Sequence, residues 1–290
     1  MPVVPMREIL KDARIRGYAV GCYNAINLEM IRGILEAAEA EASPVILCHA
    51  EVHLKYTSLE SIVPVMAAEA ARAKVPAALL LDHGKDFGVM VRALHLGMNA
   101  VMFDGSSLPD SENIEKTREI VRIAQALDAD VEAELGHVTR PKSAGADGSE
   151  DDSVIDDTSL YTSPDKAADF VAATGVQALA VAFGTAHGLY LKTPVLDLVR
   201  LAQIRDRVLS PLVMHGGSGL TETDFRQAIR AGICKVNYYT GMAVAAAERI
   251  RATLAGGGTA FYHNLMMMAI DSFRQDAVET MRIFGSSGKA

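Results

Sequence analysis

The chain has 290 residues, of which half are hydrophobic and 22% are charged, and its formal net charge is −8. This length fits one barrel-sized domain and is short for two domains joined by a linker. The acidic balance argues against a nucleic-acid binder, which would carry a basic face, although clustered backbone N–H groups could still bind a small anionic substrate.

The N-terminus and the cysteines favour a cytoplasmic protein. The first residues lack the basic and apolar regions of a signal peptide, and no uncharged apolar run of about 18 residues predicts a membrane span. The three cysteines, Cys22, Cys48 and Cys234, are widely spaced and form no CxxC pair. We therefore expect buried, reduced thiols.

Short apolar runs alternate with amphipathic stretches along the whole chain. Several of these runs are apolar throughout, which is typical of parallel strands that are covered on both faces. The predicted strands are Tyr18–Asn24, Pro44–His49, Ala77–His83, Ala100–Gly105, Asp130–Gly136, Ala178–Gly184, Pro211–Gly216 and Ile233–Tyr238.

The stretches between these strands carry helical signals, for example Leu28–Ala42, Pro109–Leu127 and Ser163–Thr174. Eight strand–helix units in this length predict an α/β fold, a single (β/α)₈ TIM barrel over residues 1–290. The alternative is an open doubly wound sheet, which the lack of a GxGxxG motif after the first strand disfavours.

One segment, at about residues 137–159, interrupts the alternation. It is rich in Gly, Ser, Asp and Pro, and the alternation resumes in step after it. Loops this long inside compact domains are usually functional or mobile, so we expect a mobile loop here rather than a domain linker.

Three histidines lie at or just beyond the predicted ends of strands three, six and seven: His83, His187 and His215. The active site of a TIM barrel lies at this end of the strands, and three histidines with one open position form a catalytic zinc arrangement. A single such histidine would more often be structural. Of the others, His49 also ends a strand, and His53 remains undecided.

Carboxylates and glycines accompany these histidines. Asp82 precedes His83 and could orient its imidazole or act as a general acid or base. Glu134, on the same strand face as Glu132, could approach the metal. The GGSG sequence that begins at Gly216 precedes a predicted helix, which suits either a phosphate cradle or a tight turn.

The chain resembles the class II fructose-/tagatose-bisphosphate aldolases in six motifs: LLLDHG, AVMFDGS, VEAELG, LAVAFGTAHGLY, PLVMHGGSG and KVN-x-x-T. The likeness runs from YNAINLE, around Asn24, to the C-terminal MRIFGSSGKA. It implies an aldolase that reversibly cleaves fructose- or tagatose-1,6-bisphosphate, or a related phosphorylated ketose, to dihydroxyacetone phosphate and an aldehyde. It also implies a homodimer or homotetramer.

The resemblance further implies one Zn²⁺ per subunit, held by His83, His187 and His215, with Glu134 close to the metal. Zinc would polarise the ketone oxygen, so that no lysine Schiff base is needed. Asp82 would move the proton of the substrate hydroxyl. The base that deprotonates the donor carbon matches Glu150, in a loop that is longer than in the family and lacks its GG pair.

The resemblance also implies a phosphate site assisted by a monovalent cation, Na⁺ or K⁺. The residues implied for binding substrate and phosphate are Asn24, Gly188, Gly216, Gly217, Ser218, Asn237, Tyr238, Tyr239 and Thr240.

Departures from the family suggest where specificity could lie. His49 and Glu51 stand where the family often has a small or hydroxyl residue near the substrate. Arg282 could meet a second phosphate, although a surface arginine is the plainer interpretation.

Three other functions stay open at this stage. One is a Schiff-base aldolase through Lys235, another a catalytically silent barrel subunit, and the third a zinc-dependent hydrolase.

Overall fold

Eight parallel strands close into one barrel in sequence order, from β1 to β8 and back to β1, which confirms the predicted (β/α)₈ fold. The computed structural model describes residues 3–138, 158–188 and 194–290. The strands are β1 (Val20–Asn24), β2 (Val45–Ala50), β3 (Ala77–Gly84), β4 (Ala100–Phe103), β5 (Asp130–Leu135), β6 (Ala178–Val181), β7 (Leu212–Met214) and β8 (Ile233–Tyr238).

Helices cover the outside of the barrel, as the amphipathic stretches predict. They are α1 (Met6–Arg16), α2 (Leu28–Ala40), α3 (Leu59–Arg72), α4 (Phe87–Leu96), α5 (Asp110–Ala126), α6 (Pro164–Thr174), α7 (Leu198–Arg207), α8 (Glu222–Ala231), α9 (Thr240–Ala255) and α10 (Tyr262–Phe284). Short 3₁₀ helices span Glu51–Lys55 and Thr158–Leu160.

Alternation along the strands divides the buried residues into two layers. On β3, Ala78 and Leu80 point into the barrel, whereas Leu79 and Leu81 pack against the helices outside. The interior cluster also includes the buried face of α1, including Met6 and Leu10, so this helix closes the end of the barrel where the strands begin.

The barrel interior changes from apolar to polar toward the carboxyl ends of the strands. Near the beginning it holds alanines, aliphatic side chains and the three cysteines, which are buried and outside any disulfide. Farther along lie buried polar residues such as Asp82, Glu132 and Lys235. Burying such groups is costly unless they are paired, and buried titratable groups cluster at functional sites. This polar layer is therefore the candidate functional region of the barrel.

Two further predictions concern the long loop and the absence of a membrane span. Most of the predicted loop at 137–159 lies outside the described residues. Among the residues that the structure does describe, no helix is long and apolar enough to cross a membrane.

Candidate active site

Three imidazoles converge at the carboxyl ends of the strands, as the sequence predicts. His83 belongs to β3, His187 follows β6 and His215 follows β7 directly. Their ligand atoms all lie within 4.8 Å of one another. His215 Nδ1 lies 3.0 Å from His83 Nε2. No other histidine, cysteine or carboxylate joins this group within the described part of the chain.

A backbone irregularity lets two adjacent residues serve one site. Leu80 and Asp82 point into the barrel by strand alternation, so His83 should point out. Instead, His83 has a φ of 48°, in the left-handed region, and the pairing of β3 with β4 shifts register between Leu81 and Gly84. Non-glycine residues rarely adopt this conformation, and such residues cluster at functional sites. The turn directs the imidazole back toward the other two histidines.

Carboxylates face the far nitrogens of two of the imidazoles. Asp104, just after β4, places Oδ2 3.5 Å from His83 Nδ1, and Glu132 Oε1 lies 2.9 Å from His215 Nε2. Burial opposes ionisation of Asp104, but its hydrogen bond and charge interaction with His83 hold its pKa well below the usual range. Burial lowers the pKa of His215, so its imidazole is favoured in the neutral form. A neutral His215 that donates from Nε2 to Glu132 turns the lone pair of its other nitrogen toward His83, which suits a shared cation.

Asp82 is an ionised carboxylate held by two amides. Its Oδ1 accepts from Asn237 Nδ2 at 3.0 Å and its Oδ2 accepts from Asn24 Nδ2 at 3.1 Å. Burial would raise its pKa, but interaction with positive charge on His83 and His215, when they are protonated, and on Lys235 lowers the pKa overall. A positioned carboxylate in this form can accept a proton from a substrate hydroxyl.

Lys235 lies below the three histidines in a buried ion pair. Its Nζ is 2.8 Å from Glu132 Oε2, and both side chains are fully buried. Burial alone would lower the lysine pKa, but charge interactions with Cys22, Glu132 and Asp82 raise it above the ordinary value. A protonated amine is not a nucleophile, so this placement disfavours a Schiff base through Lys235.

Glu134 and Glu150 are the two other acidic residues predicted for the site. Glu134 is buried on β5, on the face of the strand that also presents Glu132 to the interior, and its Oε1 accepts from the Val138 backbone N–H at 3.4 Å. It is not in the histidine group. Glu150 lies outside the described residues.

All nine residues predicted to bind substrate and phosphate line one cavity of about 530 Å³ together with the three histidines and Asp82. Gly216 has a φ of 72°, and a Cβ there would lie 2.3 Å from the Ala186 carbonyl oxygen, so only glycine fits. Ser218 Oγ accepts from the Gly241 backbone N–H at 3.0 Å, at the first turn of α9. A helix N-terminus beside a glycine turn is a ready anion site.

The opposite wall is formed by the start of α2, the segment after β2 and α9. It presents apolar and aromatic side chains, including Met30, Val52, Tyr56 and Val244. His53, which the sequence left undecided, also lines the cavity; its Nδ1 is 3.3 Å from Asn24 Oδ1 and its ring lies 4.8 Å from that of Tyr239. No lysine or arginine side chain lines the cavity among the residues described.

Three residues with predicted specificity roles do not line the described cavity. His49 is fully buried and bonds the backbone oxygens of Ala25 and Thr57 at 2.9 and 3.1 Å. Glu51 accepts from two backbone N–H groups in the loop after β3. Arg282 is an exposed side chain that makes an ion pair with Glu41. The contacts that the structure gives these three residues are with backbone groups or with a surface carboxylate.

Comparisons with known proteins agree with this geometry. The profile of the family described as fructose-bisphosphate aldolase class-II matches residues 4–289. The chain is 34% identical to the YdjI aldolase from Escherichia coli K12, with 99% of each chain covered and a TM-score of 0.88. It is 30% identical to a candidate fructose-1,6-bisphosphate aldolase from Coccidioides immitis, with 98% of this chain and 97% of that chain covered and a TM-score of 0.88. It shares the fold of a fructose-bisphosphate aldolase from Campylobacter jejuni, at 20% identity, coverage of 99% of this chain and 97% of that chain, and a TM-score of 0.82.

Proposed function

Because the chain belongs to the class-II fructose-bisphosphate aldolase family and is therefore an aldolase, a carbon–carbon lyase, we propose that it is zinc-dependent. We propose that it reversibly cleaves a phosphorylated ketose to dihydroxyacetone phosphate and an aldehyde. The substrate is fructose- or tagatose-1,6-bisphosphate or a related ketose phosphate.

The observation that carries the zinc proposal is the 3.0 Å approach of His215 Nδ1 to His83 Nε2. His215 Nε2 lies 2.9 Å from Glu132 Oε1 and is therefore the protonated nitrogen of that ring, and His83 Nδ1 is turned toward Asp104. Two lone pairs that face each other so closely repel unless a cation lies between them. Three imidazoles fit Zn²⁺, with the fourth position left for substrate, so His83, His187 and His215 would hold the ion. When bound, zinc would act as a Lewis acid on the ketone oxygen.

Asp82 supplies the proton acceptor for carbon–carbon cleavage. Its carboxylate is ionised and is aimed by Asn24 and Asn237 at the cavity beside the histidines. In the cleavage direction it takes the proton of the substrate hydroxyl whose carbon becomes the aldehyde. In the condensation direction the same carboxylic acid returns the proton to the new alkoxide.

The phosphate of the dihydroxyacetone half binds where β7 and β8 end. The backbone from Gly216 to Ser218 and the N-terminus of α9 meet there, and Gly188 lines the same cavity. Helix-terminal N–H groups and the positive end of the helix dipole favour an anion at this place. A monovalent cation, Na⁺ or K⁺, belongs to the proposal as a partner of that phosphate.

Glu150 is the proposed base at the donor carbon. Asp82 is committed to the substrate hydroxyl, so a second group must exchange the proton of dihydroxyacetone phosphate with solvent. Glu150 carries this role by family resemblance alone.

The experiment is a panel of phosphorylated ketoses, scored by release of dihydroxyacetone phosphate, with and without a chelator and then with zinc restored. Ketose 1-phosphates belong in the panel beside the bisphosphates, because the described cavity lining offers apolar groups and no lysine or arginine. Chelator-sensitive release that zinc restores is the expected result.

The remaining alternatives give different results in this panel. A silent barrel subunit would bind metal and release nothing from any sugar. A zinc hydrolase would release inorganic phosphate and leave the carbon chain intact. A Schiff-base enzyme would keep its activity in the chelator.

A further inference from the structure

The proposed chemistry leaves one buried charged pair without a role. Glu132 on β5 and Lys235 on β8 are fully buried and meet across the barrel, with Nζ 3.1 Å from Oε1 and 2.8 Å from Oε2. Neither side chain lines the substrate cavity. Apolar residues of similar volume often stabilise a core as well as a buried ion pair does, so stability alone is a weak reason for this pair.

At one end, the pair fixes the protonation of a proposed zinc ligand. Glu132 Oε1 lies 2.9 Å from His215 Nε2. An ionised carboxylate only accepts hydrogen bonds, so His215 must carry its proton on Nε2. Its Nδ1 then presents a lone pair toward His83 Nε2, 3.0 Å away. A carboxylate behind a ligand imidazole sets both the tautomer and the ring orientation.

At the other end, the pair fixes the orientation of an amide. Lys235 Nζ lies 2.6 Å from Asn237 Oδ1. An ammonium group only donates hydrogen bonds, so the amide oxygen must face it and the amide NH₂ must face the other way. That NH₂ donates to Asp82 Oδ1 at 3.0 Å. The lysine therefore decides which face Asn237 turns to the proposed proton acceptor.

We propose that Glu132 and Lys235 are positioning residues, and that their ion pair sets the tautomer of His215 and the amide orientation of Asn237 together. The inference rests on the proposed zinc-dependent aldolase function. It links the metal centre to the Asp82 carboxylate through one continuous set of hydrogen bonds. Loss of the pair therefore affects metal affinity and proton transfer separately, according to which end is lost.

Two double variants separate the two ends. Single variants would leave an unpaired buried charge and are expected to fold poorly. Glu132→Leu/Lys235→Met removes both charges and the acceptor for His215. Glu132→Gln/Lys235→Met removes both charges but keeps an amide oxygen that can accept from His215. Neither retains an ammonium for Asn237.

Zinc affinity is measured by competition with a chelating dye, kcat and KM by release of dihydroxyacetone phosphate, and folding by thermal unfolding. The Leu/Met variant should bind zinc about 10–100-fold more weakly, the effect typical of losing a hydrogen-bond partner behind a ligand. The Gln/Met variant should bind zinc within about threefold of wild type. Both should lose kcat by about tenfold or more, with KM changed less, because proton transfer and not substrate affinity depends on the Asn237 orientation.

A matched control removes a different ion pair, which is only partly buried and lies at the opposite end of the barrel. Arg7 Nη1 lies 2.8 Å from Asp130 Oδ1, and Asp130 begins the strand that carries Glu132. The Arg7→Met/Asp130→Asn variant should lose stability but keep zinc affinity and kcat.

Wild-type zinc affinity and kcat in the Leu/Met variant would overturn the inference and leave the pair a packing element. Failure of both double variants to fold would also overturn it, since the pair would then be required for folding itself. A wild-type protein that binds no zinc and cleaves no ketose phosphate would instead refute the proposed function.

Discussion

Asp82→Asn is the substitution that most directly tests the assigned proton acceptor. The change conserves shape but removes the negative charge and puts an NH₂ group where one carboxylate oxygen accepted a hydrogen bond. Neither neighbouring amide can turn to suit it easily, because Asn24 Oδ1 accepts from the Ala50 backbone N–H and Asn237 Oδ1 accepts from Lys235. The new NH₂ therefore faces another donor.

The loss has two measurable parts. One unmatched buried donor costs about 1–3 kcal/mol of folding free energy, or roughly 2–12 °C in Tm for a chain of this size. Loss of the proton acceptor lowers kcat for cleavage by about 10²–10⁴-fold, equivalent to roughly 3–5 kcal/mol of activation free energy. Zinc content should remain near wild type, since Asp82 is not in the histidine group.

The assay is release of dihydroxyacetone phosphate, with thermal unfolding and metal analysis on the same preparation. Asp130→Asn is the matched control, because that carboxylate is also buried but lies at the opposite end of the barrel. It should lower Tm and leave kcat unchanged. An Asp82→Asn variant with bound zinc and wild-type kcat would refute the role of Asp82.

Three further substitutions test other parts of the account. Glu150→Gln should slow exchange of the donor-carbon proton of dihydroxyacetone phosphate with deuterated solvent by about 10²–10⁴-fold; unchanged exchange by nuclear magnetic resonance would exclude it as the base. Gly216→Ala should raise KM and lower Tm, because the new Cβ would meet the Ala186 carbonyl oxygen and the backbone is left-handed; unchanged KM would argue against a phosphate turn. Arg282→Met should leave kcat and KM unchanged for every substrate. The Glu41 pKa is lowered chiefly by its hydrogen bond to Arg282, so this pair stabilises the fold above the unfolded-state pKa, and the stabilisation is lost as the pH falls through the folded pKa. The Tm difference between wild type and variant should therefore be present near pH 7 and shrink as the pH falls below the unfolded-state pKa of about 4.3; a KM change specific to bisphosphates would restore the substrate role.

The sequence predicts the barrel and its three histidines because both depend on local signals. Apolar runs identify the strands, and the (β/α)₈ fold places every strand end at one face. His83, His187 and His215 therefore converge even though more than 130 positions separate the first from the last. The same reasoning places the glycines for which we propose phosphate binding at this face, and they line the cavity.

His49 shows where strand-end position alone misleads. Cys48 points into the barrel, so strand alternation directs His49 outward, where it bonds two backbone oxygens. On the next strand His49 pairs with Leu81, and alternation directs His83, two positions farther on, outward as well, but His83 turns inward through its left-handed φ. The sequence shows no signal that distinguishes the two.

The ion pair of Glu132 with Lys235 and the contact of Asp104 with His83 were not predicted for a related reason. Each joins different strands, and the partner depends on barrel tilt and side-chain length rather than on spacing along the chain. The VEAELG and KVN motifs contain Glu132 and Lys235, but only the structure brings them to one place.

Stepwise return of zinc to metal-free enzyme, followed by release of dihydroxyacetone phosphate, tests the central claim most directly. The account predicts no activity without metal and a linear recovery that reaches its plateau at about one zinc per chain, as expected for one three-histidine site. Activity that persists in the metal-free protein, and that is lost when borohydride reduces a Schiff base formed with substrate, would contradict it.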